Sequence, residues 1–559
     1  MSPHVSERFM HRVRWFLTIG WLLLIASLFY DPISPWLTAS ERSFSPFRLE
    51  IETCISVRGQ CLEQHPYAIG ADVFWGLVVP SSIFILLVFG HELWRRICPL
   101  SFLSQIPRAL GIGRQLKHVD AQTGRIRYEL VKIKPNSWID RNFSYFQFGY
   151  FWVGLCVRIL FVNSDRLALA FWLLFIILFA ILVGYLYGGK SWCNYFCPMS
   201  PVQKIYSEPN SLLGSLAHRG EQKITQSMCR TIDKNGKEKS ACVACQSSCI
   251  DIDSERSYWD RLEQRDRPFL YYGYLGVLVG YFLYYYLYAG NWTYYFSGAW
   301  AREEHQISNI WNPGFYLFGS PIPIPKLVAV PLTLGLCTFL IYWLGQKIEK
   351  WYYGLKRKTD PRFSKEQVRH RLFTLCTFVC FNLFFVFGGR PFINRLSEPG
   401  QFLWQMLIVA LSTLWLARHW RRSSQLYLRE SLATRLSKQL KRLGLNVSPY
   451  LDGRLLEELT PNEVYVLAKV LPGFTKEKHH EAYKGILKDA LEDGSIEMTN
   501  SFNVLAQLRS ELALGEEDHQ QAIDRLWVEC PDIFTSTPST SAIPLVQMLE
   551  WKLHGRKEL

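Results

Sequence analysis

Residues 167–198 read LALAFWLLFIILFAILVGYLYGGKSWCNYFCP. The run 167–187 carries no charge and is long enough to cross a hydrocarbon core about 30 Å thick, which takes about 20 apolar residues in a helix. Two glycines, a lysine and the run Cys193-x3-Cys197-Pro198 follow at once. An apolar span therefore delivers two thiols to its own end, and the proline stops the helix and turns the chain away.

Working outward, seven further runs have transmembrane length, making eight near 14–30, 71–90, 145–163, 167–187, 268–289, 326–345, 371–389 and 402–418. The first lacks a small-residue cleavage site and is long and tryptophan-bearing, so it reads as a span and not as a signal peptide. Aromatic residues make up 15% of the chain, as many helices with aromatic belts at both interfaces would require.

Lys and Arg bias sets the orientation. Arg8, Arg12 and Arg14 precede the first span, and Arg95, Arg96, Arg108, Arg114 and Lys117 follow the second. Lys347, Lys350, Lys356 and Arg357 follow the sixth, and Arg418, Arg421 and Arg422 follow the last. All four segments fall on one side if eight spans alternate, whereas 31–70 and 290–325 are poorer in basic residues. This predicts an N-in, C-in protein. The same bias accounts for the net charge of +14, and no groove-reading motif accompanies it, so a nucleic-acid partner is excluded.

Beyond residue 420 the pattern becomes amphipathic. Leu432–Leu443, Pro461–Val470, Lys476–Leu491 and Phe502–Leu514 read as helices, with Thr460-Pro461-Asn462-Glu463 as a capped start and 535–543 as a Ser/Thr/Pro-rich loop. The predicted architecture is all-α: a polytopic membrane helix bundle with a cysteine-rich ferredoxin-like insertion on the cytoplasmic side and a C-terminal soluble helical domain. Its divisions are 1–188 with spans one to four, 189–266 with the cysteine-rich segment, 267–420 with spans five to eight, and the tail 421–559.

The chain has 14 cysteines, unevenly placed. Cys54 and Cys61 share a loop on the outer side, where an oxidising compartment can bridge them as a disulfide. Cys98, Cys193, Cys197, Cys229, Cys242, Cys245 and Cys249 all fall on the cytoplasmic side. The last four form C…C-x2-C-x3-C, close to the bacterial ferredoxin pattern in which the fourth cysteine serves another cluster. A cubane needs four thiolates arranged tetrahedrally, and short C-x2-C steps let one loop wrap several of its corners. Cys229, Cys242 and Cys245 with Cys197 make one [4Fe–4S] site, leaving Cys193, Cys249 and Cys98 for a second that lacks a fourth thiolate. Trp94 stands where C-x3-C-P would put that fourth cysteine. Structural zinc in a membrane scaffold or assembly factor is the alternative for the same set.

The pair Trp94-x3-Cys98-Pro99 and Cys193-x3-Cys197-Pro198, each closing a span, resembles the membrane-anchored polyferredoxins of the NapH and NosR type over about residues 70–260. The resemblance implies that these loops bind [4Fe–4S] clusters and pass electrons between a quinol or soluble donor and a partner reductase. Cys193 and Cys197 carry over directly, and Cys98 as half of its motif. The first motif has lost a cysteine, and no proline follows Cys249. The tail segments 459–464 and 514–519 look like helical extensions of cyanobacterial membrane or regulatory proteins, a resemblance that names no activity.

Other chemistry is weaker. His91, His370 and His419 near span ends offer haem ligation, and the aromatic loop 290–325 with Glu304 and His305 offers a quinone site. Arg95, Arg96, Lys190 and Lys204 are placed to steer an acidic donor such as a ferredoxin. No catalytic residue is assigned, and neither a P-loop nor a G-x-G-x-x-G turn appears in a strand–turn–helix setting. The resulting expectation is an electron-transfer protein of a bacterial inner or thylakoid membrane, with the lipid bilayer and a redox protein as partners.

Overall fold

The structure, a computed structural model, describes residues 5–533 except 43, 50–53, 120–125, 220–228, 233–237, 244, 247, 304–305, 362, 446, 452, 493–500 and 532. Seven of its helices are long and apolar enough to cross a membrane: Glu7–Phe29, Gly70–Val88, Trp138–Val162, Arg166–Leu186, Lys326–Thr359, Lys365–Phe387 and Glu398–His419. Local chemistry starts several of them. The side chains of Ser6, Ser137 and Asp165 accept from the backbone N–H three residues on, and Ser364 forms a reciprocal capping box with Gln367. Among the described residues the only strands are four two-stranded antiparallel hairpins, so the fold is all-α.

The faces these helices expose identify their solvent. On Lys326–Thr359, the residues Val328, Leu332, Leu336, Phe339 and Trp343 are exposed at helical spacing, while Ala329, Val330 and Leu334 are buried. An apolar stripe of this length meets hydrocarbon at no cost, whereas in water it would be a large exposed apolar patch.

The expected span at 268–289 is a helix of span length, continuous through Asp266–Pro268, Phe269–Gly273 and Tyr274–Ala289. Its many tyrosines keep it out of the seven helices that are most apolar. Tyr271, Tyr272, Tyr274, Tyr281, Tyr284, Tyr285 and Tyr288 are all buried, and their hydroxyls find protein partners, as Tyr274 does on Tyr206 and Tyr284 on the Gly314 carbonyl. Gly276 and Gly280 let this helix approach Lys326–Thr359 closely. A Cβ on Gly276 would stand 2.6 Å from the Cys337 carbonyl oxygen, and one on Gly280 2.9 Å from Cys337 Cβ. This is the small-xxx-small contact of membrane helices.

The chain divides into two compact units, Met1–Ser215 with Gln226–Ser254 and Arg261–Arg421, and Leu216–Thr225 with Glu255–Asp260 and Arg422–Leu559. Of residues 189–266, most fall in the first unit, and 216–225 and 255–260 in the second. In the second unit, helices Ser424–Arg442, Pro461–Val470, Lys476–Glu492, Ser501–Glu511 and Glu516–Glu529 enclose Leu436, Leu440, Tyr483, Ile486, Leu487 and Leu526. Glu430 ties that unit together by accepting from His218, Arg219 and Arg422, and Arg422 also holds Glu255. Against the opposing pull of burial, those donors hold the Glu430 carboxyl well below the usual carboxylate range. The loop expected at 535–543 lies outside the described residues.

Candidate metal centre

Two corners carry the first three cysteines. In one, the helix Gly90–Ile97 stops at Cys98 (φ −65°, ψ 117°), and Pro99 opens the next helix. In the other, the π-helical turn Trp192–Phe196 stops at Cys197 (φ −61°, ψ 123°), and Pro198 leads to the helix Ser200–Ser207. The Cys98 N–H donates to the Trp94 carbonyl and the Cys197 N–H to the Trp192 carbonyl, four and five residues back. The wider second turn is of the kind that concentrates at functional positions, and it carries Cys193.

Backbone N–H groups point at the sulfurs. Leu100 and Ser101 donate to Cys98, Met199 to Cys197, Lys190 to Cys245 and Asp251 to Cys249. Cys193 Sγ lies 3.4 Å from Ser101 Oγ, which also takes a hydrogen bond from Lys190 Nζ at 3.0 Å. Burial, and then the neighbouring Cys193, push the Cys98 thiol up to about 11. Burial likewise pushes the Cys197 and Cys249 thiols far up. A thiolate here needs positive charge, and a metal ligand must be a thiolate.

Two buried cations stand beside these sulfurs. Arg95 donates to Asp251 Oδ2 at 2.6 Å and to Asn194 Oδ1 at 2.7 Å, and lies within electrostatic reach of Cys193 and Cys249. Asn194 Nδ2 in turn lies 3.4 Å from Cys245 Sγ. Lys190 reaches Cys193 and Cys229 in the same way, although burial lowers its pKa. The Cys-rich loop is seated directly on Gly189, which has φ +74°. A Cβ there would come within 2.6 Å of Val243 Cγ2 and 2.8 Å of Cys245 Cβ.

Cys98 and Cys197 each lie in electrostatic reach of Cys193, and Cys245 in reach of Cys229 and Cys249, while Cys242 is exposed. Spacing shows which cysteines are neighbours in the chain, and only packing of the loop on Gly189 shows which are neighbours in space.

Arg95, Arg96, Lys190 and Lys204, expected to steer a donor, are all buried. Lys204 donates to Gln147 Oε1, and Gln147 Nε2 to the Cys193 carbonyl. Burial, reinforced by Arg267 and Arg261, lowers Lys204 to about 7. Asp251, which no motif singled out, is the acidic partner that balances Arg95. Its sequence signal was only its place two residues after Cys249.

The other expected residues are placed as follows. Burial, and then Arg95, hold His91 down to about 3. His370 Nε2 donates to the His419 carbonyl and His419 Nδ1 to the Trp415 carbonyl. Glu304 and His305 lie outside the described residues. A disulfide joins Cys54 to Cys61 across the hairpin Ser56–Val57/Gln60–Cys61.

The candidate donors are all cysteine sulfurs, the ligands that iron–sulfur clusters take. Comparison with known protein families agrees: residues 169–214, which include Cys193 and Cys197, match a 4Fe-4S binding domain. No curated protein and no solved structure matches the chain. The 4Fe-4S match defines the class of chemistry, iron–sulfur electron transfer.

Proposed function

We propose that this protein is a multi-pass membrane electron relay of the NapH and NosR type, built around a [4Fe–4S] site on its cytoplasmic side, with both termini on that side. The single observation that carries the reading is the meeting of Cys98, Cys193 and Cys197 at two Cys-Pro corners, with backbone N–H donors on the sulfurs and Arg95 and Lys190 beside them. Cys229, Cys242, Cys245 and Cys249 offer ligands for the same site or a second one.

When bound, such a cluster accepts and releases electrons singly at a potential set by its surroundings. The residues described here do the tuning. The N–H groups of Leu100, Ser101 and Met199 stabilise negative charge on sulfur, and Arg95 offsets it at short range with Asp251 holding the guanidinium in place. The buried aromatics Trp192 and Tyr195 keep water away. Electrons would enter from a ferredoxin-like protein or a membrane quinol and leave to a partner reductase, in a bacterial inner or thylakoid membrane.

Anaerobic purification in detergent, with iron and acid-labile sulfide analysis and EPR of the reduced protein, tests this. The expected result is iron and sulfide in equal amounts and a reduced-cluster signal that Cys193→Ala abolishes. Zinc in place of iron would reject the relay and leave a membrane scaffold.

A further inference from the structure

Arg158 is a buried guanidinium on the helix Trp138–Val162, 8% exposed. Its Nε donates to Asn163 Oδ1 at 3.0 Å, and Asn163 Nδ2 donates onward to the Tyr285 hydroxyl at 2.6 Å. Its charge lies 3.8 Å from the Trp75 ring centre, 5.0 Å from Tyr281 and 5.8 Å from Trp300. Among the described residues no carboxylate lies within ion-pair distance of it. Aromatic faces offset only part of the cost of desolvating a full charge. An unpaired ionisable group inside a membrane bundle marks a site by default.

Arg158 also lines a cavity of about 670 Å³. The walls are almost wholly apolar, and they reach from Trp75, Arg158 and Tyr281 to Cys98 and Cys197. Phe16 and Leu77, 76% and 48% exposed, also line it on two of the membrane-length helices. The wall they form therefore faces hydrocarbon and not water. What enters must be membrane-soluble, with a long apolar body and one anionic group.

We propose that this cavity binds an anionic membrane lipid, its phosphate or carboxylate on Arg158 and its acyl chain along the apolar walls toward Cys98 and Cys197. The head supplies the counter-ion that the protein itself does not. The position suits it, because Arg158 lies near the end of its helix. The chain keeps the wall behind the two cysteines dry. The site stands whether or not the thiols hold iron.

The test uses the full-length protein in detergent, with solvent extraction and mass spectrometry of the retained lipids and thermal unfolding after adding phosphatidylglycerol or phosphatidylcholine of matched chains. The wild type should retain an anionic species through purification, and mass identifies it as phospholipid or fatty acid. Phosphatidylglycerol should raise Tm above phosphatidylcholine. Arg158→Gln should lose both the retained lipid and the difference in Tm. Gly154→Leu serves if Arg158→Gln does not fold. Gly154 lines the cavity, and a Cβ there meets nothing closer than Trp172 at 3.6 Å, so the larger side chain fills the space with Arg158 intact. It should also expel the lipid. Equal anionic lipid in wild type and Arg158→Gln would overturn the proposal, as would a neutral lipid or quinone retained alike by both.

Discussion

The two Cys-Pro corners are unequal copies of one turn. Gly90-His91-Glu92-Leu93-Trp94-Arg95-Arg96-Ile97-Cys98-Pro99-Leu100-Ser101 aligns without a gap on Gly189-Lys190-Ser191-Trp192-Cys193-Asn194-Tyr195-Phe196-Cys197-Pro198-Met199-Ser200. Both glycines have positive φ, +90° and +74°, and both cysteines sit at nearly the same extended φ and ψ. They differ at the ligand position, Trp94 against Cys193, and in the turn before the cysteine, which is widened only in the second. Matched residues also bridge the corners. Arg95 bonds its counterpart Asn194, and Gln105 Nε2, the counterpart of Lys204, donates to the Gly189 carbonyl at 2.8 Å. The first corner supplies Arg95 and one thiol, Cys98, and the second supplies Lys190 and the thiol pair, so each copy of the turn brings both charge and sulfur.

The comparison makes one centre of two corners, and the largest effect tests that. Cys98→Ala and Cys197→Ala should delete the same EPR signal. If Cys197→Ala alone deletes it, the corners serve separate sites and the comparison fails. Next, Asp251→Ala leaves Arg95 buried without its carboxylate and should cost about 3–5 kcal/mol, measured by denaturant unfolding in detergent. Asn194→Ala, which removes a neutral partner of the same guanidinium, should cost less. A reversed order would show that the bridge between corners outweighs the ion pair.

Smaller still are the glycines. Gly90→Ala and Gly189→Ala both place a Cβ at positive φ, at a cost of roughly 1–2 kcal/mol. Gly90→Ala also meets the Ser211 side chain, whereas Gly189→Ala meets Val243 and Cys245, so only the second should lower iron content. Equal iron loss in both would mean that the turn itself, and not the seat it offers the loop, holds the site. The last effect is in pH dependence. Lys204 falls to about 7 in the fold from 10.5, so between those values the unfolded chain binds the proton that the folded one has lost. Stability should therefore rise with pH across that window, and Lys204→Met should flatten the rise. Gln105→Met at the matching position should leave it unchanged.

What the sequence determined alone is what local pattern can carry. Uncharged runs such as 167–187 required membrane-length helices because an unpaired backbone cannot cross hydrocarbon. Cys-Pro ended each corner because proline cannot continue the helix. Thr460-Pro461-Asn462-Glu463 started its tail helix through a cap that the structure shows, with the Glu463 N–H on Thr460 Oγ1 and the Thr460 N–H on Glu463 Oε2. Tertiary structure decided everything that depended on partners far apart in the chain. Hydropathy scores Tyr281 and Tyr285 as polar because it cannot see that each hydroxyl bonds the other. Arg95 and Lys190 look like topology signals until Asp251 and Ser101 are found beside them. Nothing local to Arg158 indicates that it lacks a counter-ion. Desolvation and charge pairing depend on three-dimensional neighbours, and those exist only once the helices have packed.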